Sequence, residues 1–118
     1  MNRPLYTTLL CTVLAISAHG QQNVVPNCSF EQRTQCPTNI SNLTADCASW
    51  YAFTNGTSDY FNTCHVGILA GVPLNFLGYQ LAAHGLAYAG IINYNGSIVY
   101  IEYLATTITP LRIGASYE

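Results

Sequence analysis

The rhythm of apolar and polar positions changes twice along this 118-residue chain. Leu5 to Ile16 is an apolar run interrupted only by Tyr6, Cys11 and hydroxyl residues, with Asn2-Arg3 before it and Ala18-His19-Gly20 behind it. That is the three-part form of a secretory signal. Residues 1–20 are therefore expected to be a signal peptide, cleaved before Gln21. A bilayer-spanning helix needs roughly 20 apolar residues, which argues against a retained anchor. Cys11 lacks the small residues that precede a lipoprotein cysteine, which argues against a lipid anchor.

Behind the signal, Val24-Val25 and Phe30 flank a Pro26-Asn27 break, which predicts a short first strand kinked or bulged at Pro26. From Gln35 to Leu81 the chain is punctuated by Cys36-Pro37, Asn55-Gly56, Gly71-Val72-Pro73 and Gly78, and no helical apolar period outlasts a turn. Leu86 to Tyr94 reads as a strand bounded by Gly85 and Asn95-Gly96. Asn-Gly between two apolar runs predicts a hairpin, with Ser97 to Thr107 as the β-branched and aromatic partner. Alternation puts Val99, Ile101 and Tyr103 on one face and Ile98, Tyr100, Glu102 and Leu104 on the other. Apolar residues on both faces predict a strand inside a sandwich, with Glu102 as the odd member. Pro110 ends this run and Leu111 to Tyr117 starts another. The expected class is all-β. About five strands can be placed against the roughly eight of a jelly roll, so an incomplete sandwich over residues 21–118 is expected.

Charge narrows the function classes. Beyond the signal the only cations are Arg33 and Arg112, against Glu31, Asp46, Asp59, Glu102 and Glu118. Two cations make no footprint for a phosphate backbone, so nucleic acid is excluded as a partner. The cysteines left after cleavage are Cys28, Cys36, Cys47 and Cys64, an even set that in an exported chain predicts two disulfides. No C-x-x-C pair is present, and no histidine sits at zinc-finger distance. Cys36–Cys47 is the preferred bridge, because Pro37 and the Asn/Ser/Thr stretch between them read as a closed surface loop.

Several phrases, in order, carry a resemblance. They are Val25-Pro26-Asn27-Cys28-Ser29-Phe30-Glu31, Cys36-Pro37, Cys47-Ala48-Ser49-Trp50-Tyr51 and Ser58-Asp59-Tyr60-Phe61-Asn62-Thr63-Cys64, followed by Gly71 to Gln80, Gly85 to Ile91 and Tyr100 to Leu104. Together they resemble the N-terminal galactose-binding-like jelly-roll module of bacterial surface proteins exported by the type IX route and associated with gliding motility. The resemblance spans essentially the whole mature chain. It implies a non-catalytic, outer-membrane-associated or extracellular module in a structural or adhesive role, ahead of an OmpA-like or sorting domain that is missing here. The other role it leaves open is a carbohydrate-binding module that targets an attached enzyme to polysaccharide. In carbohydrate-binding modules of this fold the Glu of the opening Phe-Glu phrase often helps to hold a structural Ca²⁺, so the resemblance implies Glu31 as a calcium ligand, an oxygen donor suited to that ion. No other cofactor is expected.

The residues themselves offer little catalysis. A triad needs a nucleophile, a base and an orienting carboxylate; the histidines are His65 and His84, both read as surface residues, and no G-x-S-x-G elbow occurs. Glycoside hydrolysis needs two carboxylates roughly 5 to 10 Å apart, and Asp46, Asp59 and Glu102 sit in no hydrolase motif. Sugar binding needs an exposed ring for the apolar pyranose face, with Asn, Gln or Asp beside it. Trp50, Tyr51, Phe53, Tyr60 and Tyr79 could supply rings, although Trp50 beside Cys47 reads first as core. Tyr51, Asp59 and Tyr60 are the expected rim of a glycan site. The sequons at Asn27, Asn39, Asn42, Asn55 and Asn95 are read as Asn-rich turns.

Overall fold

A computed structural model describes residues 23–94, 96, 100–115 and 117. The expected signal peptide, and Asn95 and residues 97–99 of the expected hairpin, lie outside the described residues. The main compact unit is Val24–Pro110. In the other unit the described residues form a turn in which Ala115 N–H donates to Arg112 C=O, at 3.3 Å.

The regular elements of the main unit are almost all strands, joined by long irregular segments. One helical turn, α1 (Leu43–Asp46), precedes β1 (Trp50–Ala52), β2 (Asp59–Asn62), β3 (Leu74–Asn75), β4 (Gly78–Tyr79), β5 (Ala87–Gly90) and β6 (Leu104–Thr106). The all-β expectation is met at that level. The strands form three antiparallel pairs, β1 with β6, β2 with β5 and β3 with β4. In the longest ladder Asp59 faces Gly90, Tyr60 faces Ala89, Phe61 faces Tyr88 and Asn62 faces Ala87.

Two expectations about strands need correction. The segment around Pro26 is not a strand. It is a turn closed by Phe30 N–H donating to Asn27 C=O at 3.0 Å, with left-handed backbone at Asn27 (φ 47°) and Phe30 (φ 63°). Nor, among the described residues, do the arms flanking Asn95-Gly96 pair as neighbouring strands. β5 lies against the fully buried β2, and β6 against β1. The arms still meet at Glu102, whose N–H donates to Ile92 C=O at 3.1 Å and whose Oε2 accepts Ile92 N–H at 2.8 Å.

The core sits where α1, β2 and β5 meet. Leu43, Cys47, Tyr60 and Ala87 are buried together, with Phe30, Trp50, Ala89 and Leu104 packed against them. The rings of Phe30 and Trp50 lie 4.9 Å apart, within the range of favourable aromatic pairs. All four residues of β2 are buried, so this short strand is covered on both faces. Phe61 turns the other way from Tyr60 and packs its ring 5.0 Å from that of Tyr88.

The disulfide is Cys36–Cys64, not Cys36–Cys47, with Cα atoms 5.9 Å apart. Cys47 ends α1 facing the core, whereas Cys64 follows β2 in a turn that returns beside Cys36. Cys28 is exposed and Cys47 is buried, and neither is paired, so two disulfides are not formed. A disulfide nonetheless indicates an oxidising, exported environment. Among the described residues no helix is long and apolar enough to cross a membrane.

Candidate functional site

Asn27 fastens the opening phrase to the body. Its side-chain amide donates to Ala48 C=O (2.7 Å) and Gln32 C=O (2.9 Å) and accepts from Gln32 N–H (2.9 Å). Its own carbonyl accepts the indole N–H of Trp50 at 2.9 Å. Phe30 C=O accepts the hydroxyl proton of Tyr60 at 2.8 Å. Glu31 Oε1 accepts from the backbone N–H groups of Leu86 (2.9 Å) and Ala87 (3.0 Å), at the start of β5. Gly85, at φ +70°, has no side chain to collide with that carboxylate. The Asn-x-x-Phe-Glu phrase is thus a clasp joining the turn to β1, β2 and β5.

The clasp leaves an open cleft of about 440 Å³ beside β1. It is lined by Thr34, Thr44, Cys47, Trp50, Tyr51 and Thr107, among others. The lining is aromatic and hydroxyl-bearing, and among the described residues no charged side chain contributes to it. Burial pushes the Cys47 thiol up to about 11, with the Asn27 amide opposing and the nearby Asp46 carboxylate reinforcing the shift. A thiol so placed stays protonated at neutral pH and is a poor nucleophile. Thr44 Oγ1 accepts Ala52 N–H at 3.0 Å, so it is partly committed to holding β1.

Of the three residues expected at a glycan rim, the structure brings only Tyr51 to this cleft. Tyr60 is wholly buried, its hydroxyl held by Phe30 C=O and by the Asn62 amide, which donates to it at 3.0 Å. It cannot offer a stacking face. Asp59 is buried too, its Oδ1 accepting Ser41 N–H at 2.6 Å. The physical reason is that β2 is covered on both faces, which alternation at a solvated sheet does not anticipate. The cleft residues Thr34, Thr44 and Thr107 carry no motif and come together only in the fold.

The remaining acids are also inside. Glu102 is 1 % exposed. Its Oε1 accepts from the Thr57 hydroxyl (3.1 Å), Thr57 N–H (3.2 Å) and the Tyr100 hydroxyl (3.0 Å), and its Oε2 from Ile92 N–H (2.8 Å). Four donors replace the water and the cation that a buried carboxylate otherwise needs. Gly56 is the neighbour that admits it, since a Cβ there would lie 2.9 Å from Glu102 Cγ. Burial raises the Asp59 carboxyl above its usual value; the Ser41 N–H opposes this and the Glu102 charge adds to it. Asp46 accepts the Gln35 amide at Oδ1 (2.7 Å), while its Oδ2 is buried without a partner among the described residues. His65 Nδ1 lies 2.9 Å from Pro37 C=O, beside the disulfide, and His84 is exposed.

Among the described residues no group of three or more His, Cys, Asp or Glu side chains is placed to hold a metal ion. Glu31, the expected calcium ligand, has Oε1 committed to the backbone of β5. A scan against protein-family models gives no match, and searches of curated proteins and of solved structures likewise give none.

Proposed function

We propose that this chain is an exported, non-catalytic module of a cell-surface protein, in a structural or adhesive role. The galactose-binding-like jelly roll, the outer-membrane association and the type IX, gliding-motility setting belong to this proposal and rest on the resemblance of its phrases. The observation that supports a structural role is the use to which the polar groups are put. Asn27, Glu31, Asp59 and Glu102, the side chains from which a site would be built, accept or donate hydrogen bonds to the chain's own backbone. Sequencing the gene beyond codon 118 tests this reading. An OmpA-like or sorting domain in frame is expected, and a glycosidase there would refute it.

The cleft supports a second reading, a carbohydrate-binding module. Tyr51 beside threonine hydroxyls, with no charge in the lining, suits an uncharged glycan, whose pyranose face stacks on a ring while its hydroxyls meet Thr34 and Thr107. Losing the ring costs about a tenfold drop in affinity, on the order of 1.4 kcal/mol. A glycan array should therefore show Tyr51→Ala losing the signal that the parent protein gives. Retention of that signal removes the cleft from consideration.

A further inference from the structure

Cys36 and Cys64 are joined, whereas among the described residues Cys28 and Cys47 are left as thiols. The two thiols sit on neighbouring pieces of backbone. Arg33 lies opposite Cys47 in an antiparallel bridge, flanked by Thr34 N–H donating to Asp46 C=O (2.8 Å) and Ala48 N–H donating to Gln32 C=O (2.9 Å). The turn that carries Cys28 folds back over this seam onto the Cys47 side chain. Asn27 Nδ2 donates to the Cys47 sulfur at 3.4 Å, and that sulfur lies 4.0 Å from Gln32 C=O. Phe30 packs on the core cluster to which Cys47 belongs.

Cys28 follows Asn27 directly, so covalent geometry keeps its Cα within about 11 Å of the Cys47 sulfur. A disulfide needs Cα atoms closer than about 7 Å. Movement of one turn therefore separates these thiols from bonding distance, and no strand has to change its partner. That turn is the piece with reason to move. Asn27 and Phe30 hold left-handed backbone, at φ 47° and 63°, and residues 27–30 belong to no strand or helix. Cys28 is exposed, so an oxidant reaches it while Cys47 is still covered.

We propose that Cys28 and Cys47 are a redox latch, in which oxidation closes a second disulfide that replaces the Asn27–Cys47 contact and ties the opening turn covalently to the end of α1. The oxidant is a disulfide, R–S–S–R, of the class that a thiol-oxidising milieu supplies. The Cys28 thiolate attacks one of its sulfurs, forming Cys28–S–S–R and releasing RS⁻. The turn then swings Asn27 aside, Cys47 gives its proton to water, and its thiolate attacks the Cys28 sulfur. The second RS⁻ leaves, and both leave as thiols once protonated. One disulfide is made and one is reduced, so atoms and electrons balance. Burial keeps the Cys47 thiol protonated at neutral pH, which makes Cys28 the first to react. The latch does not depend on a glycan in the cleft beside β1, so the two readings fail separately.

The test starts from the folded full chain with Cys36–Cys64 closed and the other two thiols free. Oxidised glutathione is added, remaining thiols are blocked with N-ethylmaleimide in urea, and the chain is cut with chymotrypsin without reductant. Phe30, Leu43 and Trp50 place a cut between each of these cysteines and the next. Mass spectrometry should find the Cys28 and Cys47 peptides joined, alongside the Cys36–Cys64 pair. Cys28→Ser, a change at an exposed position, should lose the first pair and keep the second. On titration with reduced glutathione the Cys28–Cys47 bridge should open first, with a closure constant at least roughly tenfold smaller, because closing it breaks the Asn27 hydrogen bonds. Maleimide on both Cys28 and Cys47 after prolonged oxidation overturns the proposal. So do a glutathione adduct that stays on Cys28, a dimer linked through Cys28 with Cys47 still a thiol, and a bridge from Cys28 to Cys36 or Cys64. A Cys28–Cys47 bridge that outlasts Cys36–Cys64 under reductant would be a fixed staple, which overturns the latch.

Discussion

Asn27 holds six hydrogen bonds at a left-handed backbone position, a conformation that Asn tolerates better than most residues. Asn27→Ala keeps the turn's length but strands Ala48 C=O and Gln32 N–H, which should cost about 2–4 kcal/mol in urea unfolding. A loss below about 0.5 kcal/mol would show that the clasp is incidental. The sequence made the opening phrase legible as a landmark. It hid the role of the Asn, because Ala48 and Trp50 are remote in sequence and their approach depends on the fold. The cysteines show the same limit. Their even count suggested two bridges, but Cys47 is drawn into the core beside Leu43 and Tyr60. Iodoacetamide should modify Cys28 in the native protein and leave Cys47 unmodified until the chain unfolds, as read by peptide mass spectrometry. Equal rates at the two thiols would contradict the buried, protonated state of Cys47.

At the scale of elements, pairing is decided by partners that local patterns do not reveal. The Asn95-Gly96 signal and the two apolar arms predicted neighbours, yet β5 completes β2 and β6 completes β1. The competing ladder wins because Tyr60 and Phe61 bring their rings into the core with Ala87 and against Tyr88. What was legible was that strands lie within 86–94 and 97–107, because Gly85, Asn95-Gly96 and Pro110 bound those apolar runs; β5 and β6 occupy only part of each. The Cys36–Cys64 bridge closes a loop spanning α1, β1 and β2, with a sequence separation of 28. Replacing its cysteines as Cys36→Ala with Cys64→Ala should lower stability by about 3–4 kcal/mol on loop-entropy grounds. The chemical-denaturation midpoint reads this directly, and an unchanged midpoint would mean that the loop is held by its other contacts.

At the scale of the molecule, acids without cations set the response to pH. Among the described residues no arginine pairs with Asp59, and burial holds its carboxyl above the usual value. A raised folded-state pKa means that protonation favours the fold. The stability this group contributes is full below the unfolded value near 3.8 and is lost as pH rises through the folded value. Asp59→Asn keeps an acceptor for Ser41 N–H without the charge. It should raise the melting temperature at pH 7 and give no advantage at about pH 3, which thermal scans across that window would show. A variant with a pH-independent advantage would place the effect in packing instead.

The scarcity of cations has a consequence for survival outside the cell. With no lysine in the chain, Arg33 and Arg112 are the only positions behind the signal at which a trypsin-like protease can cut. They bracket the disulfide, both halves of every strand pair and the cleft. The strands, the disulfide and the cleft therefore lie in one limit peptide, Thr34 to Arg112, closed on itself by Cys36–Cys64, and in the dithiol form a cut after Arg33 frees only the segment that carries the Asn27–Glu31 clasp. In a milieu rich in such proteases the module has almost nothing for them to digest, even when it is unfolded.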